Sequence, residues 1–212
     1  MQLTSYMINK INENKEFNHF RDLSNQWWNP DGKFKILHSI TPLRIHYIKK
    51  NIINRHKIKN KKKPLFNLDI LDLGCGGGLI CEPLSRLGAN VTGVDFVIKN
   101  IEVARKHAIK SNLNILYIKQ NLSSLNLKKK YDVIILFEVI EHLDNWGEII
   151  SKSIKLLNPK GRIIFSTINR TILSKILAIF LLSVDTIIRS NILLSFNFLI
   201  VLAIIGRPLN FL

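Results

Sequence analysis

The run FEVIEHL, Phe137 to Leu143, brings two carboxylates and an imidazole, Glu138, Glu141 and His142, within five residues of one another. A histidine titrates near neutrality and can serve as a general base, while carboxylate oxygens suit a hard divalent cation that acts as a Lewis acid. Three readings of the cluster stay open on residue types alone. It is a metal site, a histidine base working without metal, or a cap for the helix that follows. Histidine is an unusual ligand for magnesium, which prefers oxygen. In the metal reading His142 therefore also fits as the base beside an ion on Glu138 and Glu141.

A second constellation is LDLGCGGGLI, Leu71 to Ile80, where Gly74, Gly76, Gly77 and Gly78 follow an apolar run carrying Asp72. Glycine weakens helices and strands alike, so four within five residues imply a backbone that must approach a ligand. Asp95 lies 21 residues after Gly74, the spacing at which an acid accepts hydrogen bonds from ribose hydroxyls in a doubly wound sheet. The dinucleotide pattern G-x-G-x-x-G would place its third glycine at 79, where Leu79 stands. LDLGCGGG instead resembles the glycine loop of class I methyltransferases, which favours S-adenosyl-L-methionine over NAD.

Those groups need a scaffold, and the chain after Pro64 alternates short β-branched runs with longer amphipathic ones, as repeated βα units do. Strands are expected at 68–73, 90–95, 114–119, 131–137 and 161–167, with helices at 79–88, 97–111 and 145–157 and a short or irregular piece near 121–127. Gly88 reads as the residue that ends the first of these helices. The fold class is thus α/β with a parallel sheet, which together with the resemblance of the glycine loop implies a Rossmann-like class I methyltransferase sheet. In it FEVIEHL follows the fourth strand and lies beside the first glycine turn, where open α/β sheets bind ligands. Residues 1–63 read as a helical cap with a turn at NPDG, Asn29 to Gly32, and a lysine-rich linker. Residues 64–170 form the core, and 171–212 an apolar tail.

With 212 residues and 47% hydrophobic content the chain can bury a proper core, which excludes a disordered protein. Cys75 and Cys81 are its only cysteines and the N-terminus is polar, so reduced thiols and a cytoplasmic compartment are expected. The formal charge of +16 suits anionic partners, yet lysine, isoleucine and asparagine are enriched throughout. Charge of that kind speaks to solubility and nonspecific association, and no nucleic-acid partner is favoured.

WWNPDGKFKILHSITPLR, LDLGCGGGLICEPLSRLGANVTGVD and YDVIILFEVIEHL together resemble the ubiquinone-biosynthesis O-methyltransferase family over about residues 17 to 170. The resemblance implies methyl transfer from S-adenosyl-L-methionine to a phenolic hydroxyl of a polyprenylated precursor such as a polyprenyl phenol or demethylubiquinol. It further implies work at the inner face of the cell membrane, peripherally, and a ubiquinone-biosynthesis complex as a partner. Arg44 of TPLR, Gly74, Asp95 and Phe137 fall on cofactor-contacting positions of the family, with Asp72 and Gly76 in the same loop. A guanidinium at Arg44 can grip the cofactor's carboxylate with two parallel hydrogen bonds. Members of the family are associated with magnesium at an E-x-x-E-H cluster, which maps onto Glu138, Glu141 and His142. The adjacent Trp27 and Trp28 read as packing residues, with a wall over the cofactor as the alternative.

Two rivals remain. An RNA methyltransferase would suit the basic charge, although the N-P-P-Y type motif of amino-directed enzymes is missing after the fourth strand. A noncatalytic, membrane-associated remnant would suit the tail, where the sequence leaves the family: the sixth and seventh strands read as missing, and ILSKILAIFLLSVDTIIRSNILLSFNFLIVLAIIGRPLNFL reads as apolar helix on membrane or sheet. Its second apolar piece, Ile192 to Ile205, is fourteen residues long, short of the roughly 20 needed to span a bilayer. Without further strands the fifth would be an exposed edge.

Overall fold

The computed structural model describes residues 18, 21–56, 60, 62–143, 145–167, 193–194 and 201–206. Five strands, β1 (Asp69–Leu73), β2 (Asn90–Asp95), β3 (Leu116–Lys119), β4 (Tyr131–Phe137) and β5 (Leu157–Thr167), pair in parallel in the order β3-β2-β1-β4-β5. The doubly wound sheet expected from the alternation of runs is therefore present. Its central strands, DILDL and YDVIILF, are rich in buried apolar residues because both faces are covered, with Asp72 buried among them in the first.

Successive residues feed two cores. Ile70, Val133 and Ile135 join Ile48 and Ile52 of α1 (Lys35–His56), Leu84 of α2 (Cys81–Arg86) and Ala104 of α3 (Ile98–Lys110). Leu71, Ile134 and Leu136 join Ile149 of α4 (Trp146–Lys155) on the opposite face. The α3 sequence buries Asn100, Ile101, Ala104 and Ala108, the spacing of one helical face.

Boundaries follow the sequence closely at β2 and β4 and contract by one or two residues at each helix end, where end residues leave the helical hydrogen-bond ladder. Gly88 has φ +100 at the end of α2, as its C-terminal glycine should. The irregular piece is a single 3-10 turn, Leu122–Ser124, whose first free amide is taken by Asn121. On the N-terminal side a 3-10 turn, Ser24–Gln26, precedes NPDG. There Asn29 accepts from Asp31 N (3.1 Å) and closes the turn. After it α1 runs unbroken from Lys35 through Pro42 to His56, where the lysine-rich stretch begins.

The expectation that the last strands are missing is corrected. β6 (Leu193–Leu194) and β7 (Val201–Gly206) extend the sheet to β5-β7-β6. β7 runs antiparallel to β5, with Ile163 opposite Ile205 and Phe165 opposite Ala203. The segment VLAIIG is short and β-branched and ends at glycine, and the open edge of β5 offers it a full ladder of backbone hydrogen bonds that a helix would leave unused. The remainder of the tail read as helix lies outside the described residues. Among the described residues no helix is long and apolar enough to cross a membrane.

Candidate functional site

The sheet's C-terminal edge gathers the predicted residues. β1 ends at Leu73, and the chain turns through Gly74 (φ +76), Gly76 (φ +51) and Gly78 (φ +88) into α2. These left-handed angles suit glycine alone without strain. The turn is pinned to β2, since Gly74 N and Cys75 N both donate to Val94 O (2.7 and 3.0 Å). Asp95 then closes it from β2: its Oδ2 accepts from Gly76 N (3.0 Å) and its Oδ1 from Val97 N (2.8 Å). Asp95 is buried, and burial pushes its carboxyl above the usual range while those two amides and Asn100 pull it back.

Asp72 sits beneath the loop, buried, accepting from Cys81 Sγ at 3.1 Å. Burial raises it to about 7, opposed by that thiol, with Asp95 adding repulsion and Arg44 attraction. The thiols of Cys75 and Cys81 are likewise pushed up by burial, Cys75 to about 11, so both are free and inert.

The N-terminal cap lies on this loop. Trp27 stacks on Phe34 (3.9 Å, 5°) and Trp28 stacks on His107 (3.4 Å, 5°) while donating to Gly77 O (2.9 Å). The tryptophans therefore pack, as read, and the surface they pack on is the glycine loop. His107 is held in turn by the buried Glu82 at 2.6 Å, and His38 Nε2 meets Trp27 O at 2.8 Å.

The acid cluster forms where β4 ends. Glu138 takes φ +54, a left-handed backbone that non-glycine residues seldom adopt. This turns its side chain back toward α1, where Arg44, 3% exposed, pairs with it. Ser166 of β5, fully buried, completes the group: its Oγ donates to Glu138 Oε1 (2.8 Å) and accepts from Arg44 Nη2 (3.3 Å). The Arg44 guanidinium also lies 4.9 Å over the ring of Phe137. Burial lowers the pKa of Arg44, while Glu138, Asp72 and Glu141 hold its charge.

Glu141 follows on a 3-10 turn, Ile140–His142. Burial and the neighbouring Glu138 raise its pKa, whereas its own backbone and His142 oppose the rise. Three buried polar atoms of this group have no hydrogen-bond partner: Arg44 Nε, Glu138 Oε2 and Glu141 Oε2. Unsatisfied buried carboxylate and guanidinium atoms are costly. Among the described residues no group of three His, Cys, Asp or Glu side chains is arranged to hold a metal ion. His142 is exposed on the turn. Glu138, Glu141 and His142 are therefore neighbours in the chain that do not converge as the three-ligand metal set the resemblance implies.

The two parts touch. A Cβ on Gly74 would come within 2.3 Å of Val139, the residue between Glu138 and Ile140. Glycine loop, Asp95 and acid cluster therefore lie side by side at the C-terminal edge of the sheet, where open α/β sheets form their ligand crevice.

With that crevice assembled, likeness to known proteins can be set beside it. The profile described as "Methyltransferase domain" matches residues 43–185. The ubiquinone biosynthesis O-methyltransferase of Pelagibacter ubique is 47% identical over 172 residues, covering 81% of this chain and 71% of that protein. The chain belongs to the ubiquinone biosynthesis O-methyltransferase family. The enzymes of the same name from Rickettsia bellii and Bartonella tribocorum are each 43% identical, over 77% and 75% of this chain and 65% of their own lengths. The chain thus spans about two thirds of the length of these relatives.

The fold is also that of solved methyltransferases. Magnesium protoporphyrin IX methyltransferase from Synechocystis, with bound SAH, aligns over 96% of this chain and 99% of its own at a TM-score of 0.65 and 18% identity. An S-adenosyl-L-methionine-dependent methyltransferase from Methanococcus maripaludis aligns over 92% and 93% at a TM-score of 0.65 and 17% identity.

Sequence reasoning missed Ser166, Asn100 and the seat of Trp27. Ser166 and Asn100 lie 28 and five residues from the acids they serve in runs without a motif. Two adjacent tryptophans were the only signal for the cap's seat.

Proposed function

We propose that this chain is an S-adenosyl-L-methionine-dependent O-methyltransferase acting on a phenolic hydroxyl of a polyprenylated ubiquinone precursor. The observation that carries the reading is the buried Arg44, Glu138 and Glu141 group, with its unpartnered polar atoms, opening beside the glycine loop and Asp95. Asp95 accepts a ribose hydroxyl at the acceptor site that Gly76 N, Val97 N and Asn100 Nδ2 leave free. Gly74, Gly76, Asp72 and Phe137 shape the cofactor's bed. Arg44, already paired with Glu138, keeps Nε for the cofactor's carboxylate.

Methyl transfer is an in-line displacement: the phenol oxygen bonds to the methyl carbon as the carbon–sulfur bond breaks, leaving S-adenosylhomocysteine. A phenol with a pKa near ~10 is largely protonated at neutral pH, so its proton must leave. His142 takes that proton as general base, and the carboxylates of Glu138 and Glu141 orient the hydroxyl. The two unpartnered carboxylate oxygens fit a hard divalent cation. Magnesium held there by Glu138 and Glu141, with His142 alongside, would supply Lewis-acid stabilisation of the phenolate.

The division into cap 1–63, core 64–170 and tail 171–212 assigns the cap to covering the cofactor and the tail to closing the sheet. A polyprenyl substrate places the protein at the membrane surface, peripherally on the cytoplasmic face and beside other ubiquinone-biosynthesis enzymes. Family membership favours this reading over the RNA-methylating and noncatalytic alternatives.

Incubation with labelled S-adenosyl-L-methionine and a demethylated quinol, with and without magnesium, tests the reading. Labelled methyl in the quinol is expected. Calorimetry of Asp95→Ala should show cofactor binding weakened by about 1 to 3 kcal/mol. No transfer by a folded chain that binds the cofactor would remove the substrate assignment.

A further inference from the structure

Asn100 belongs to no motif, yet it is 2% exposed and bonded at both ends of its amide. Its Oδ1 accepts from Ser24 Oγ (2.9 Å) and from Trp27 Nε1 (2.8 Å), both on the cap. Its Nδ2 donates to Asp95 Oδ1 at 3.3 Å. We propose that Asn100 is a positioning residue through which the N-terminal cap orients Asp95 for the cofactor's ribose, so that cap closure and cofactor binding are coupled. This rests on the S-adenosyl-L-methionine reading above.

The coupling follows from the asymmetry of an amide. One end only accepts and the other only donates. Two donors from the cap occupy Oδ1, which leaves Nδ2 a single direction, toward Asp95. With the cap withdrawn nothing holds Oδ1, and the amide is free to turn and set a lone pair against the carboxylate. Closing the cap therefore fixes the third hydrogen bond to Asp95, after those from Gly76 N and Val97 N. A carboxylate has about four acceptor sites, so a fully oriented Asp95 keeps a defined direction for a ribose hydroxyl. The same cap residue, Trp27, lies against Gly76 and Gly77, so the cap meets the glycines directly and the acid through Asn100. Coupling is reciprocal: a cofactor that prefers the oriented Asp95 also favours the closed cap.

The test uses the full chain, calorimetry with S-adenosyl-L-methionine, tryptophan emission as a readout of cap closure, and the urea unfolding midpoint. Trp27→Phe keeps an aromatic ring against Phe34 and removes the N–H donor together with the outer part of the indole that lies on Gly76. Asn100→Asp keeps the acceptor for the cap and loses the donor to Asp95. Trp27→Phe and Asn100→Ala should each weaken binding about fivefold, and the double variant should bind no more weakly than Asn100→Ala alone. Asn100→Asp should weaken binding while its emission stays that of the closed cap. Unchanged affinity in Trp27→Phe, multiplying effects in the double variant, or a lowered unfolding midpoint with wild-type affinity in Asn100→Ala would each overturn the proposal. If Asn100→Ala fails to fold, Trp27→Phe decides. A wild-type chain that does not bind S-adenosyl-L-methionine removes the cofactor reading itself, an outcome distinct from binding without coupling.

Discussion

Trp27 lies flat against Gly76: a Cβ added to Gly76 would come 2.4 Å from the indole ring, at a residue whose φ is +51. The glycine is thus required by the cap as well as by the turn. Gly76→Ala combines left-handed strain with overpacking and should lose about 2 to 4 kcal/mol of stability. Adding Trp27→Ala removes the clash and leaves the strain. A denaturation cycle over the four variants should therefore be strongly non-additive.

Arg44 and Glu138 form a buried pair, 3% and 14% exposed. Arg44→Met strands the Glu138 carboxylate and should cost about 3 to 5 kcal/mol in urea unfolding. The double variant Arg44→Met, Glu138→Leu should recover much of that stability and none of the methyl transfer. Recovery of activity would show that the pair is structural only.

In the proposed reaction the unpartnered oxygens of Glu138 and Glu141 face the acceptor hydroxyl. Glu138→Gln and Glu141→Gln should lower kcat more than they weaken cofactor binding, and chelation with EDTA should mimic the loss. If activity survives chelation while His142→Ala removes it, the base works without metal.

Asp72 ionises at about 7 in the folded chain against 3.8 ordinarily. Between those values the unfolded chain releases a proton that the native state keeps. Stability therefore falls as pH rises from about 4 to about 7, by about 4 kcal/mol, and the whole cost is present above that window. Asp95 and Glu141, raised in the same direction, add to the same slope. Asp72→Asn should flatten it, as unfolding midpoints at pH 5 and pH 8 would show.

The ladder between β5 and β7 predicts the fate of a shortened chain. A version ending at Thr171 exposes the β5 edge and should associate or aggregate where the full chain does not. Light scattering and gel filtration compare the two.

Much of this was local enough to read in the chain. Four glycines between LDL and LI, an acid 21 residues after the first of them, and near-continuous apolar runs such as YDVIILF depend on backbone freedom, strand length and burial on both faces. Each constrains its own neighbourhood, so the parallel sheet, the cofactor loop and the acid cluster at the end of β4 follow from sequence. The end of the sheet did not, because VLAIIG is apolar enough for helix or strand and only the unpaired edge of β5 chooses between them.

The site's internal bonding was equally hidden. Arg44 and Glu138 are 94 residues apart and Trp27 and Asn100 are 73 apart, and neither side chain of a pair carries a mark of the other. Ser166 became part of the acid cluster because β5 lies beside β4, with Phe137 in register with it. Sequence determined which groups reach the crevice. Tertiary packing decided how they pair there: with water largely excluded, each buried polar atom must find a partner or wait for a ligand.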